Sequence, residues 1–219
     1  QNSINSKCCL GPGIFDVGMT PLGKNGRRSP NMLTIRTGGE LCGSGESTII
    51  KFHGDATLMD WRGVEVIGNN IAVHDLTLNT EDLSNTIEQT HELHVTGPVD
   101  GLYVHDVWFK HPLHPGFKGG DDIDFVGYAE SMITNTRIDH NHFISSSRIG
   151  IQIHSGVHDM MITNNEFLDA RVLDIGTEGT GVISNLTIAH NTHLVGPSQT
   201  GGTAIALNIV TDSTIVDNV

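Results

Sequence analysis

The sequence predicts an all-β solenoid, a parallel β-helix, and two observations support this fold class. A short motif of the form Ile-x-x-Asn recurs in the second half of the chain, with its isoleucines at Ile138, Ile162, Ile188 and Ile215. These isoleucines are 24, 26 and 27 residues apart, and a repeat of this length indicates stacked structural units. The segments between the motifs alternate apolar and polar residues, as at 151–153 (Ile-Gln-Ile), which is the period of a strand with one buried face.

Leucine-rich repeats are the competing solenoid for a period of this length. They require a Leu-x-x-Leu-x-Leu core, which these units lack, and no long segment has the spacing of an amphipathic helix. Each unit is therefore predicted to be one coil of short strands, stacked in parallel on the next coil.

The asparagine of the motif is interpreted as structural rather than catalytic. In stacked coils, equivalent asparagines lie about 4.8 Å apart, which is within reach of one another's side-chain amides. Asparagine also tolerates the left-handed backbone angles of tight turns. We therefore expect a single ladder that contains Asn141, Asn165, Asn191 and Asn218.

The length and composition of the chain suit one elongated domain. It has 219 residues, of which 37% are hydrophobic and 26 are glycines. Residues 1–46 are rich in Gly, Asn, Pro and Ser, and are predicted to form a loop-rich segment that caps the N-terminal edge of the solenoid. Residues 47–219 are predicted to form the coils. Because no capping sequence follows the last motif, we expect the β-helix to continue beyond Val219.

Charge and cysteine content exclude several classes of partner. The formal net charge is −13, from 25 acidic and 12 basic residues, which argues against a nucleic-acid partner. No apolar run approaches the length of a membrane-spanning helix. Cys42 is expected to form a disulfide with Cys8 or Cys9 in an oxidising compartment. Because the chain has no Cys-x-x-Cys motif, a zinc site is not expected, and no residue is assigned as a metal ligand.

Residues 119–194, about a third of the chain, carry a resemblance to a known family. The segments 120–124 (Gly-Asp-Asp-Ile-Asp) and 138–140 (Ile-Asp-His) resemble stretches of pectate lyases, and residues 157–167 are similar to the coil that follows them. Pectate lyases belong to the pectin-lyase-like superfamily, which includes polygalacturonases and phage tailspikes. The resemblance implies a right-handed, single-stranded parallel β-helix that meets a polysaccharide. A homo-oligomer, three-fold by analogy with tailspikes, is left open.

The sequence also departs from the pectate lyases where their chemistry resides. Their Asp-Gly-x-x-Asp motif, whose carboxylates help to hold calcium, is replaced here by residues 148–152 (Arg-Ile-Gly-Ile-Gln). No lysine or arginine follows Arg171, so the arginine that abstracts the proton in their β-elimination has no counterpart. Elimination is therefore disfavoured, calcium is left open as a cofactor, and the polygalacturonase motifs are absent as well.

The repeat pattern predicts a polar patch on the outer face of the first strand of each coil. The expected outward row contains His94, Asp124, Gln152 and Asp174. Glu92 and Asp122 are expected on the same face two positions before His94 and Asp124, and His154 two positions after Gln152. Residues two apart on a strand are about 6.6 Å apart at their α-carbons. That separation fits the two carboxyls of an inverting glycosidase, about 6.5–9.5 Å apart.

These positions give a set of candidate site residues. The catalytic carboxyl pair is expected from Asp122, Asp124 and Asp174. Substrate binding is expected from five side chains, of which the cationic Lys118 and Arg148 would orient an acidic sugar; the five are His94, Lys118, Arg148, Gln152 and His154. The same acids could instead solvate an exposed strand face or bind a structural cation.

The expected function is that of an extracellular or virion-borne protein that binds a polysaccharide along the face of the β-helix. If the protein is an enzyme, hydrolysis by a carboxyl pair is preferred to β-elimination. The alternative is a non-catalytic structural or adhesive β-helix, because no intact catalytic signature is present. An epimerase acting within a polymeric glycan is a third, weaker alternative.

Overall fold

The computed structural model describes residues 2–18, 31–55, 61–84, 89–110, 120–197 and 203–219. All the regular structure in these residues is β-strand, in agreement with the predicted fold class. None of the described residues belongs to a helix long and apolar enough to cross a membrane.

The described residues form 24 strands, which we number in chain order. Strands β1 to β8 are Asn2–Ile4, Lys7–Cys9, Gly13–Gly18, Asn31–Arg36, Glu40–Cys42, Thr48–Asp55, Trp61–Ile67 and Ile71–Ser84. Strands β9 to β16 are Thr90–Thr96, Val99–Asp100, Leu102–Lys110, Asp121–Val126, Ile133–Thr134, Thr136–Asp139, His142–Ile144 and Ile149–Ile153. Strands β17 to β24 are Val157–Thr163, Glu166–Leu168, Leu173–Thr177, Ile183–Ala189, Thr192–Leu194, Ile205–Ala206, Val210–Thr211 and Thr214–Val216.

The strands form two sheets in which strands of successive coils lie side by side. The first sheet has eight strands in the order β1-β4-β7-β9-β12-β16-β19-β22, and the other sixteen strands belong to the second sheet. Strand pairing is parallel in both sheets, for example between β12 and β16 and between β17 and β20. The chain thus winds as a parallel β-helix of about 6 turns, which confirms the predicted solenoid architecture.

The motif isoleucines form one continuous column. The register pairs Ile138 with Ile162, Ile162 with Ile188, and Ile188 with Ile215. A second interior column stacks rings: the centroids of Phe109 and Phe143 are 4.9 Å apart, and the next two steps, to Phe167 and then His193, are 4.5 and 5.1 Å. The core is therefore a set of like-on-like stacks, each member contributed by one coil.

The predicted asparagine ladder is present. The side-chain amide of Asn141 donates to Oδ1 of Asn165 at 2.9 Å, Asn165 donates to Asn191 at 3.0 Å, and Asn191 donates to Asn218 at 2.9 Å. Each Oδ1 also accepts the backbone N–H of the asparagine one coil earlier. Because buried amides are costly when unpaired, the ladder fixes the register of every coil that it crosses.

The left-handed backbone angles lie one residue earlier than predicted. Asn141, Asn165, Asn191 and Asn218 are not among the residues with positive φ, whereas the residue before each one is: His140, Asn164, His190 and Asp217 have φ values of 55, 57, 59 and 53°. The ladder asparagines are therefore selected for their amides, and the preceding turn residue absorbs the strained conformation.

Strands also occupy part of the segment for which the composition predicts loops. Strands β1, β2 and β3 pair in parallel with β4, β5 and β6, so residues 2–18 follow the path of a coil. A disulfide joins Cys9 to Cys42 across the β2–β5 pair, which confirms that Cys42 bonds to one of the first two cysteines. The capping role of the N-terminal segment stays a prediction.

Candidate functional site

Side chains on the outer face of the first sheet line up in a row that crosses its strands. The register pairs Glu65 with His94, His94 with Asp124, Asp124 with Gln152, and Gln152 with Gly176. We call these five residues the outer row. The residues directly before and after His94 and Asp124 are fully buried in the apolar core, so the outer row faces away from it.

The first sheet adds a further residue per strand to the same face, three positions before the outer row. The rings of His91 and His94 stack with their centroids 5.4 Å apart, and Arg62 Nη1 lies 3.2 Å from Glu65 Oε1. Residues three apart on a regular strand face opposite sides of the sheet. The alternation is therefore broken at the start of these strands, and two consecutive residues between the outward ones face the interior.

Asp124 lies at the centre of this surface, in contact with three histidines. His94 Nδ1 is 2.8 Å and His91 Nε2 is 3.5 Å from Oδ2 of Asp124, and His154 Nε2 is 3.0 Å from Oδ1. His91, His94 and Asp124 are 2%, 3% and 2% exposed. Although Nδ1 of His94 lies 2.8 Å from Oδ2 of Asp124, it makes no hydrogen bond of acceptable geometry within the described part of the chain.

The electrostatics of the cluster follow from its burial and its charges. Burial raises the pKa of Asp124, but the charge of His91 and the contacts with His154 and His94 outweigh it, so the pKa lies far below the ordinary value. Burial lowers the pKa of His94, in spite of the neighbouring carboxylate. The contact with Asp124 raises the pKa of His154, which is closer to solvent. Asp124 is thus an ionised carboxylate beside an imidazole whose pKa is lowered by burial.

Asp121 and Arg148 support the cluster from one side. Arg148 donates from Nε and Nη2 to the two oxygens of Asp121, at 2.8 and 2.6 Å. Oδ2 of Asp121 is also 3.4 Å from Nδ1 of His91. Such a bidentate pair fixes the planes of both side chains, so Arg148 holds Asp121 beside His91. The contact of Arg148 with substrate stays a prediction.

The second carboxyl of the predicted pair, Asp122, lies on the other side of the sheet. Its side chain is fully buried, and Ser146 Oγ donates to its Oδ2. A side chain at the equivalent position 150 of the next coil would meet the ring of Phe167, which belongs to the core. Asp122 therefore faces the interior of the solenoid, and the face it was predicted to share with Asp124 carries Asp121 instead.

Glu92 and Asp174 occupy the same interior row as Asp122. Thr80 Oγ1 donates to Glu92 Oε1 at 3.0 Å, and burial, followed by the charge of Asp122, raises the pKa of Glu92 well above its ordinary value. Nδ1 of His193 lies 2.8 Å from Oδ2 of Asp174. The prediction that Asp174 lies beside Gln152 in the outer row is wrong, because Gly176 is the residue paired with Gln152.

A cleft of about 450 Å³ opens over the Asp124 side of the outer row. Of the predicted substrate-binding residues, His94 and His154 line it, and Gln152 is buried beside Asp124 in the row. Glu65 and Arg62 also line it. Burial raises the pKa of Glu65, and the nearby Arg62 charge offsets only part of that effect. Lys118 lies outside the described residues.

The cluster does not match a calcium site, although the family resemblance leaves that cofactor open. Calcium takes about six to eight oxygen ligands. The ligand atoms that converge here come from His91, His94 and Asp124, all within 4.8 Å of one another, and two of the three are imidazole nitrogens. We therefore derive no chemical step through calcium at this position.

Three residues of this surface, Glu65, His91 and Asp121, are not predicted from the sequence as site residues. The signal for His91 is its spacing from His94, in the stretch 91–94 (His-Glu-Leu-His). Strict alternation places such residues on opposite faces, so only the broken alternation of the folded strand reveals that they meet. Glu65 belongs to the outer row one coil before the first predicted member.

Comparisons with known proteins give distant structural neighbours. The mannuronan C-5 epimerase AlgE4 A-module of Azotobacter vinelandii is 15% identical, over 98% of this chain and 86% of that one, with a TM-score of 0.31. A tailspike of E. coli bacteriophage HK620, solved with a hexasaccharide, is 11% identical over 97% of this chain and 50% of that one, with a TM-score of 0.39. No protein-family model and no curated protein matches the chain. These similarities bear on the fold alone.

Proposed function

We propose that this protein binds a polysaccharide across the outer face of the first sheet and hydrolyses it in the cleft beside Asp124. The observation that carries the proposal is the presence of two carboxyls, Glu65 and Asp124, in one row and lining one cleft. A solenoid face offers an extended row of polar side chains, which suits a linear polymer.

The spacing of the two carboxyls defines the type of hydrolysis. Glu65 and Asp124 are separated by two strand steps, or about 9.6 Å at their α-carbons. Inverting glycosidases hold their carboxyl groups about 6.5–9.5 Å apart, and retaining enzymes about 5–5.5 Å apart, so the α-carbon separation lies just above the inverting range and far above the retaining one. We therefore propose an inverting reaction, with room for a water molecule between Asp124 and the sugar.

The two carboxyls take different roles because their surroundings differ. Glu65, whose pKa is raised by burial, donates a proton to the glycosidic oxygen as the bond to the anomeric carbon breaks. A water molecule adds to the anomeric carbon, and its proton passes to Asp124. Arg62 and His154, which both line the cleft and retain some exposure, are placed to contact an acidic sugar.

An extracellular location is part of the proposal. Its support is the Cys9–Cys42 disulfide, because disulfides persist in oxidising compartments and are rare in the cytosol. Assembly into a homo-oligomer, and a position on a virion surface, stay predictions.

The test is incubation of the protein with a panel of neutral and acidic polysaccharides, following reducing ends and the absorbance of unsaturated products separately. We expect reducing ends without unsaturated products, and release of the inverted anomer by proton NMR. Glu65→Gln and Asp124→Asn should each reduce cleavage by about 100-fold or more. Asp139→Asn is the matched control, because Asp139 is also a buried, ionised aspartate but lies on the second sheet.

Unsaturated products would overturn hydrolysis in favour of elimination. Binding without any product, or equal activity in both carboxyl variants, would remove the proposed catalytic pair. A protein that neither binds nor cleaves any glycan of the panel would contradict the whole proposal.

A further inference from the structure

The three side chains around Oδ2 of Asp124 have the geometry of a metal centre. The ligand atoms of His91, His94 and Asp124 all lie within 4.8 Å of one another. An ion with bonds of about 2.1 Å to nitrogen and oxygen, at tetrahedral or octahedral angles, places its ligand atoms about 3.0–3.4 Å apart. The separations from Asp124 Oδ2, 2.8 Å to His94 Nδ1 and 3.5 Å to His91 Nε2, bracket that range.

One of the three proposed ligand atoms lacks a hydrogen bond in the protein. Nδ1 of His94 is buried and makes no hydrogen bond of acceptable geometry within the described residues, although it lies 2.8 Å from Oδ2 of Asp124. Buried polar groups are hydrogen-bonded in the great majority of cases, so this unsatisfied nitrogen requires an explanation. A cation bound between the three side chains would account for the short approach of His94 to Asp124 without hydrogen-bond geometry.

The second ring nitrogen of His91 faces a carboxylate, as is usual for metal-binding histidines. A ligating imidazole usually directs its second nitrogen at a carboxylate, which fixes the ring and raises its basicity. Nδ1 of His91 lies 3.4 Å from Oδ2 of Asp121, on the opposite side of the ring from Asp124. Asp121 is in turn held by both nitrogens of the Arg148 fork. His91 is thus oriented toward the position that an ion would occupy.

We propose that Nε2 of His91, Nδ1 of His94 and Oδ2 of Asp124 bind one divalent transition-metal ion of the zinc, cobalt or manganese class. Two imidazoles and one carboxylate are the ligands that such ions accept, and three protein ligands leave a position open to the cleft. Oδ1 of Asp124, on the His154 side, stays available to accept a proton. The catalytic part of this inference rests on the proposed hydrolysis, in which the ion would hold the attacking water. Binding of the ion does not depend on it.

The experiment uses untagged protein that has been stripped with a chelator and titrated with Co²⁺ and Zn²⁺. Visible absorption reports Co²⁺ coordination, and calorimetry gives the stoichiometry and affinity for Zn²⁺. We expect one equivalent of either ion and a rise of the melting temperature on binding. Asp124→Asn and His94→Gln should weaken binding by about 100-fold or more, and Asp121→Asn by about 10–100-fold.

The control variant is His105→Gln, which removes a histidine that also neighbours an aspartate, but on the second sheet. It should bind the ion as the wild type does. Folding of every variant is checked by circular dichroism, and Asp121→Asn leaves all three ligands in place should a ligand variant fail to fold.

Absence of binding at millimolar Zn²⁺, or equal affinity in the wild type and in folded His94→Gln, would overturn the site. The outcome can be separated from that of the proposed function. An ion bound by a protein that cleaves no glycan would support the metal centre and contradict hydrolysis. Cleavage that persists in chelator, by a protein that binds no ion, would support hydrolysis and contradict the metal centre.

Discussion

The asparagine ladder and the outer row are built by the same stacking of coils, but they differ in how completely their polar atoms are hydrogen-bonded. In the ladder, each interior amide donates to one asparagine and accepts from another, and it donates also to a backbone carbonyl, as Asn165 does to Ile138. In the outer row, buried atoms of His94 and Asp124 lie close together without hydrogen-bond geometry. The amides of the ladder are satisfied by the protein itself, whereas Nδ1 of His94 in the outer row has no hydrogen bond within the described residues.

This contrast shows how a repeating fold can place stabilising groups and functional groups in different rows. A ladder whose groups satisfy one another contributes to the free energy of unfolding and offers nothing to a ligand. A row of charged and imidazole groups that is incompletely satisfied contributes less to stability, and sites of this kind are where function is usually located. Mutations in the ladder should therefore mainly reduce stability, and mutations in the outer row should mainly reduce function.

The largest effect on stability is expected in the ring column that accompanies the ladder. Phe167→Ala removes a fully buried ring stacked between Phe143 and His193, and should lower the free energy of unfolding by about 3–5 kcal/mol. Leu168→Ala, at the exposed neighbouring position, should change it by about 0.5 kcal/mol or less. Urea denaturation measures both, and similar values for the two variants would refute the packing argument.

The next largest effect is expected in the ladder. Asn165→Ala deprives Asn141 of the acceptor for its backbone N–H and Ile138 of a donor to its carbonyl. Because these groups are buried, the free energy of unfolding should fall by about 1–3 kcal/mol. Denaturant midpoints should show this loss, while glycan cleavage per folded molecule stays at the wild-type value. Loss of cleavage in folded protein would mean that the ladder is not merely structural.

A pH-dependent effect is expected at Asp139, on the second sheet. Burial raises the pKa of Asp139, but hydrogen bonds from Thr163 and Asn164 and the contact with His140 outweigh it and lower the pKa to about 2. Because the pKa of the Asp139 carboxyl is lower in the folded than in the unfolded chain, the carboxylate stabilises the protein at pH 7. This contribution is lost as the pH falls from about 4 to about 2.

Asp139→Asn should therefore destabilise the protein by about 1–2 kcal/mol at pH 7, a value reduced for partial solvent screening. The difference from the wild type should shrink when the denaturation curves are repeated at pH 3. A difference that stays constant between pH 7 and pH 3 would show that the loss does not come from the ionised carboxylate.

The smallest effect on stability is expected in the outer row. His94→Gln should change the free energy of unfolding of the chelator-treated protein by less than about 1 kcal/mol, because Nδ1 of His94 makes no hydrogen bond there. Denaturation in the presence of chelator measures it. A loss as large as that of Asn165→Ala would remove the contrast between the two regions.

The repeating architecture follows from the residue pattern alone. A period of 24 to 27 residues and alternating apolar residues leave few folds, so the isoleucine column and the asparagine ladder are predictable without the structure. Asp124, His94, Gln152 and His154 were also predicted, because alternation correctly assigns the last residues of each strand to the outer face.

Tertiary structure decided which acids share a surface. Alternation fails at the corner where each coil enters the first sheet, so Asp122 turns inward to Ser146 while Asp121 and His91 turn outward. The pairing register likewise moved Asp174 away from Gln152. Both depend on how the chain bends between coils, and a bend is set by contacts with neighbouring coils that a linear pattern does not encode. The repeat fixes what is stacked, and the corners fix which way the first residues of each strand face.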